Sequence, residues 1–176
     1  MKGTGMIKPI MTFLVCLLVF PIQSYSEKSS TPESLGRELI SIWQNGNIED
    51  LGAIVSENAE YEAAQQNYTY KGLEKFKSYV GHASKFAKDL ELKITSINST
   101  QSTAAIEWIM TGIQDRPIPG RITIATNKEF TVKGVTLIKV EDGLITKATD
   151  YLDVLGFVLQ LGARVELPGG VVLEMK

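Results

Sequence analysis

Four side chains in this sequence have the types and settings that acid–base chemistry requires. Asp150 and Asp153 fall in "TDYLDVLGFVLQLG", residues 149–162, between an alternating segment and an apolar, helix-like one. Glu107 is the one charge in the apolar run "STAAIEWIMTGI", and His82, after Gly81, is the only histidine of the chain. Alternation in "LITKATDYL" puts Thr146, Ala148, Asp150 and Leu152 on one strand face and Asp153 on the other. A buried charge is rarely left unpaired. Glu107 and Asp150, on nearby strands, are therefore candidates for an acid–base pair that divides two proton-transfer roles. Asp153 has a plainer reading as the N-cap of the following helix, worth about 1 kcal/mol. His82 is a candidate base or hydrogen-bond donor, against the plainer reading of a partly exposed helix residue. A lone histidine with no accompanying cluster makes no metal site, and no cofactor is expected.

The elements that must position these groups follow from spacing. Leu35, Leu39, Ile40 and Trp43 recur at helical intervals over residues 33–44, with Thr31 or Ser34 as cap, Pro32 in the first turn and "NGN" as the stop. "IEDLGAIV" predicts a second short helix, "ENAEYEAAQ" a first strand and "QNYTYKG" a loop. Leu73, Phe76, Tyr79, Val80 and Ala83 share one helical face, and "LELKITSI" alternates as a half-buried strand. "STAAIEWIMTGI" is apolar on both faces, which predicts a strand covered on both sides. Pro117, Pro119 and Gly120 make the next stretch a loop with at most a short strand. "EFTVKGVTLIKV" and "LITKATDYL" form a hairpin through "EDG". A short helix over residues 154–161 follows, and "PGG" precedes "VVLEM" as an edge strand. Helices first and antiparallel strands after them predict a single α+β domain, residues 33–176, with a curved antiparallel sheet wrapped on the N-terminal helices. Trp43, Tyr61, Phe76, Tyr79 and Trp108 are expected in its core.

The N-terminus reads differently. Lys2 and Lys8 precede an apolar run from Ile10 to Phe20, and small residues follow at Ser24 and Ser26. That pattern predicts an export signal over residues 1–26, with residues 27–32 as a polar leader. The run is too short for a comfortable membrane span of about 20 residues. Cys16, the only cysteine, lies within it, so the mature chain has no disulfide and no thiol catalysis. Taking Lys2 and Lys8 from 18 basic residues leaves 16 against 20 acidic ones, a charge of −4. No basic patch points to nucleic acid. Asn67 and Asn98 head N-x-S/T sequons.

Three quoted segments carry a resemblance. "YKGLEKFKSYV", "KFAKDLELKI" with its Phe-x-x-Asp-Leu, and "VEDGLITKATDYLDVLGFVLQLG" resemble the SnoaL-like polyketide cyclase group of the nuclear transport factor 2-like superfamily. The limonene epoxide hydrolase type is the second choice. The likeness covers residues 33–162 and implies a cone with a deep apolar pocket. It implies that Asp150 faces that pocket, that Asp153 aligns with the cyclase acid, and that some of the five aromatics line the cone as substrate-binding residues. It also implies a homodimer formed through the sheet. The sequence departs from both groups. It reads "WIMTGIQ" where cyclases often carry a G-T-H turn, and "AAIEW" without the arginine of the epoxide hydrolases. Two functions follow as expectations. One is an exported acid–base enzyme, of cyclase, isomerase or hydratase/hydrolase type, on a small hydrophobic molecule. The other is a non-catalytic binding or dimeric interaction domain.

Overall fold

The computed structural model describes residues 30–83 and 85–175. The expected export signal lies outside the described residues, as do residues 27–29 of the leader.

Helix α1, Pro32–Asn45, starts where Thr31 accepts a hydrogen bond from the Ser34 N–H at 3.1 Å, and it ends at Gly46, whose φ is 71°. Its apolar stripe buries Leu35, Leu39, Ile40, Ile42 and Trp43. Gly36 lets the helix approach the sheet closely, because a Cβ there would lie 2.8 Å from the Ile106 side chain. The expected second helix is a 3-10 turn, Ile48–Ala53.

Strand β1, Val55–Ala63, is followed by the 3-10 turn Ala64–Gln66 and β2, Tyr68–Lys71. The segment expected as a loop is therefore partly strand. Asn67, at φ 49°, makes the turn, and Tyr68 to Lys71 then pair with Ala63 to Glu60. Helix α2, Leu73–Ala83, precedes β3, Lys88–Ser99, and β4, Thr103–Ile113. Strands β5, Glu129–Glu141, and β6, Leu144–Leu152, form the expected hairpin. Its turn has positive φ at both Asp142 (50°) and Gly143 (76°), the geometry whose twist matches that of the strands. Helix α3, Val154–Gln160, comes next.

The six strands order as β2-β1-β6-β5-β4-β3 in a curved, open sheet. Four pairings are antiparallel, and β1 runs parallel to β6. The α+β cone expected from the sequence is thus present, with a mixed sheet. Strand β4 is buried on one face only. Ala104, Ile106, Trp108 and Met110 point into the core, while Thr103 and Glu107 of the other face are exposed. The final segment does not extend this sheet. β8, Val171–Leu173, pairs with β7, Val165–Leu167, in a separate two-stranded hairpin.

One irregularity sets the facing of β6. Lys139 pairs with Lys147 and Val140 with Ile145, so Thr146 is an extra residue on the β6 side. Ile145 and Ala148 both point inward, and from Ala148 onward strict alternation carries Asp150 inward and Tyr151 out. Thr146, expected on the Asp150 face, is absorbed in the bulge.

Candidate functional site

Asp150 sits on the inner face of β6 with none of its surface exposed. Two hydroxyls hold its carboxylate. The Tyr61 hydroxyl, from β1, donates to Oδ2. The Thr136 hydroxyl, directly across the hairpin on β5, donates to Oδ1 at 2.6 Å. Thr136 in turn accepts the indole N–H of Trp108 at 2.9 Å. That indole lies flat across Gly134, its register partner on β5, where a Cβ would come within 2.4 Å of the ring.

The wall is aromatic. Tyr61 meets the Phe76 ring edge-on at 4.7 Å and the Tyr79 ring at 4.5 Å between centroids. Trp43 packs against Trp108 at 5.6 Å. All five aromatics expected in the core are buried. Near the rim, the Gln65 amide donates to the Tyr79 hydroxyl at 3.0 Å, and the Tyr70 hydroxyl donates to Gln66 at 3.1 Å. Among the described residues, the buried polar atoms Trp43 Nε1 and Gln65 Oε1 have no hydrogen-bond partner.

This setting changes the acid. Burial disfavours the carboxylate and pushes Asp150 up to about 6, against the opposing pull of the hydrogen bonds from Thr136, Tyr61 and Tyr79. Tyr61 is raised well above its ordinary value, first by burial and then by the Asp150 charge, so its phenol stays protonated and keeps donating. Tyr79 is raised for the same two leading reasons. Asp150 can therefore hold or release a proton near neutral pH, which is what a general acid or base requires.

The other candidates lie elsewhere. Glu107 is on the outer face of β4 and is exposed, so it forms no pair with Asp150. The pleat accounts for this: Ile106 and Trp108 point in, and the residue between them must point out. Asp153 accepts the Gly156 N–H at 2.8 Å and caps α3, as its plainer reading expected. Glu107 and Asp153 both border a groove on the outer sheet face, with Thr95, Lys133 and Tyr151. His82 is exposed on α2 and its ring nitrogen bonds the Ser78 carbonyl of the preceding turn. It does not reach Asp150. Among the described residues no cluster of His, Cys, Asp and Glu could hold a metal.

Thr136 is a site residue that the sequence reading missed. The signal was its position in the hairpin, since counting outward from the "EDG" turn pairs β5 with β6. An unbulged count pairs Thr136 with Thr149, and the bulge moves the partner to Asp150.

The architecture and this site define an α+β cone domain of the nuclear transport factor 2-like kind. Solved structures share the fold. TsrD from Streptomyces laurentii aligns with a TM-score of 0.66 and 22% identity, over 78% of this chain and 98% of its own. A SnoaL-like polyketide cyclase from Agrobacterium tumefaciens aligns at 0.61 and 15%, over 75% and 98%. A Catenulispora acidiphila protein with a ketosteroid isomerase-like fold, in complex with trimethylamine, aligns at 0.59 and 22%, over 74% and 92%. Residues 37–148 match the SnoaL-like domain, and the chain belongs to that family. No curated protein matches the sequence.

Proposed function

We propose that the protein performs acid–base chemistry on a small apolar molecule held inside the cone, with Asp150 as the proton acceptor and donor. One observation carries this reading. A wholly buried carboxyl, raised to about 6, stands among aromatic walls with two hydroxyls fixing both of its oxygens. A purely structural core has no use for such a group, because burying a charge is costly. Above pH 6 the carboxylate takes a proton from an acidic carbon of the substrate, and the resulting carboxylic acid returns it elsewhere on the same molecule. The Tyr61 and Thr136 hydroxyls hold the carboxylate in place during both transfers. Family membership supports a cyclase or isomerase type of reaction within this class. The molecule is read as acting after export, as a homodimer through the outer sheet face, where Leu137 and Tyr151 are exposed.

The test uses small apolar 1,3-diketones and cyclic enones in D2O, with deuterium incorporation followed by NMR. Exchange is expected to rise as the pH passes about 6 and to vanish in Asp150→Asn. Equal exchange in both proteins would overturn the proposal.

A second reading rests on the tight packing of the interior. Ring centroids at 4.5–5.6 Å around Tyr61 and Trp43 leave the aromatics in mutual contact. In that reading the interior retains a ligand without converting it, and native mass spectrometry would recover the bound molecule unaltered.

A further inference from the structure

A hydrogen-bonded row of side chains crosses four adjacent strands and passes through the carboxyl of Asp150. In the order β4, β5, β6 and β1 its members are Trp108, Thr136, Asp150 and Tyr61. Three local features place them. Trp108 stands opposite Gly134 and Thr136 opposite Ile106, so the indole reaches Thr136 along a diagonal of the sheet. Gly134 leaves room for that reach, since a Cβ there would come within 2.4 Å of the ring. Trp43 of α1 packs the indole from the helix side, with ring centroids 5.6 Å apart. On the far side of Thr136, the bulge in β6 sets Asp150 directly across the hairpin.

Donor and acceptor chemistry gives the row a direction. An indole N–H can only donate. Thr136 Oγ1 accepts it at 2.9 Å, and the one hydroxyl hydrogen of Thr136 goes to Asp150 Oδ1, 2.6 Å away. Trp108 and Thr136 are both buried. A hydroxyl that accepts from one donor is polarised and donates more strongly to the next group. The titratable groups that act on Asp150 are the phenols of Tyr61, from β1, and Tyr79, from α2, with Tyr70 and Arg121 acting on Tyr79 in turn.

We infer that Trp108 is a positioning residue for Asp150: its indole N–H holds the Thr136 hydroxyl as a donor to Oδ1, and Gly134 gives the indole the room to do so. The inference rests on the reading of Asp150 as the acid–base group. The Thr136 bond strengthens as the carboxylate forms, so Trp108 favours the charged form through Thr136.

The chain has two tryptophans, and Trp43 Nε1 has no hydrogen-bond partner among the described residues. Trp43 is therefore an internal control. In NMR spectra of the unaltered full chain, the Trp108 indole proton is expected to move to lower field with the same midpoint, about 6, as the Asp150 carboxyl carbon. The Trp43 indole proton is expected to stay nearly still. A Trp108 indole that keeps its position while the carboxyl titrates would overturn the inference, and so would equal movement of both indoles.

Substitutions separate the hydrogen bond from packing. Trp108→Phe removes the N–H and keeps an aromatic ring. The Asp150 midpoint is expected to rise by roughly half a unit, the worth of one weakened hydrogen bond, and the pH profile of deuterium exchange to move with it. Thr136→Val should raise the midpoint as well, and adding Trp108→Phe to Thr136→Val should then change nothing further. A second rise in the double variant would show that Trp108 acts by packing and would overturn the inference. Should Trp108→Phe fail to fold, the indole titration of the unaltered protein decides the question. The titrations read no turnover. Their failure leaves the Asp150→Asn comparison standing, and equal exchange in that comparison leaves the titrations as they are.

Discussion

The two faces of one sheet hold carboxylates under opposite conditions. Asp150, inside, has no exposed surface and is held by two hydroxyls. Glu107 and Asp153, outside, share an open groove. All three looked alike as acids in apolar sequence. What separates them is the pleat, since a shift of one residue along a strand moves a side chain from core to solvent. The comparison teaches that the cost of desolvation, more than residue type, decides which acid can work near neutral pH.

The largest effect that tests this contrast is the pH dependence of stability. Asp150 is raised from the usual 3.8 to about 6, so the folded state binds its proton more tightly than the unfolded chain does. Its contribution is full below about pH 4 and is lost as the pH rises through about 6. At 1.36 kcal/mol per unit the change is about 3 kcal/mol. Urea unfolding across this range should show a fall in the unaltered protein and a flattened profile in Asp150→Asn. Parallel profiles would mean that burial does not govern this carboxyl.

A smaller effect is expected at the helix end. Asp153→Ala removes one capping bond from α3 and should lower stability by about 1 kcal/mol, seen as a lower urea midpoint with unchanged slope. The smallest is expected on the open face. Glu107→Gln should stay within about 0.5 kcal/mol of the unaltered protein and leave deuterium exchange into the diketone probes intact. A large loss at Glu107 would erase the distinction between the faces.

Much of this was legible from local pattern. The stripe of α1, the "EDG" hairpin and the Asp153 cap all depend on neighbours within a few residues, and each is where spacing put it. The inward facing of Asp150 was also expected, as an implication of family resemblance. The outward facing of Glu107 was available in the phase of Ile106 and Trp108, but the apolar character of the whole strand hid it. Three features left no local trace. β2 has four residues, too few for a period to show. The Thr136 bond depends on a bulge one residue wide. Gln114 reads as an ordinary polar residue at a strand end, and only the return of the chain at Ile124 and Thr126 reveals what its amide holds.

The parallel contact between β1 and β6 has a consequence for the order in which the molecule assembles. Tyr61 and Asp150 are 89 residues apart in the chain, yet they share a hydrogen bond. Antiparallel neighbours such as β5 and β6 can zip from a tight turn, whereas this pairing must wait for a long loop to close. A nascent chain can thus complete its helices and its last hairpin while the carboxyl of Asp150 still faces water. The buried acid, with its altered proton affinity, is then among the last properties the folding molecule acquires.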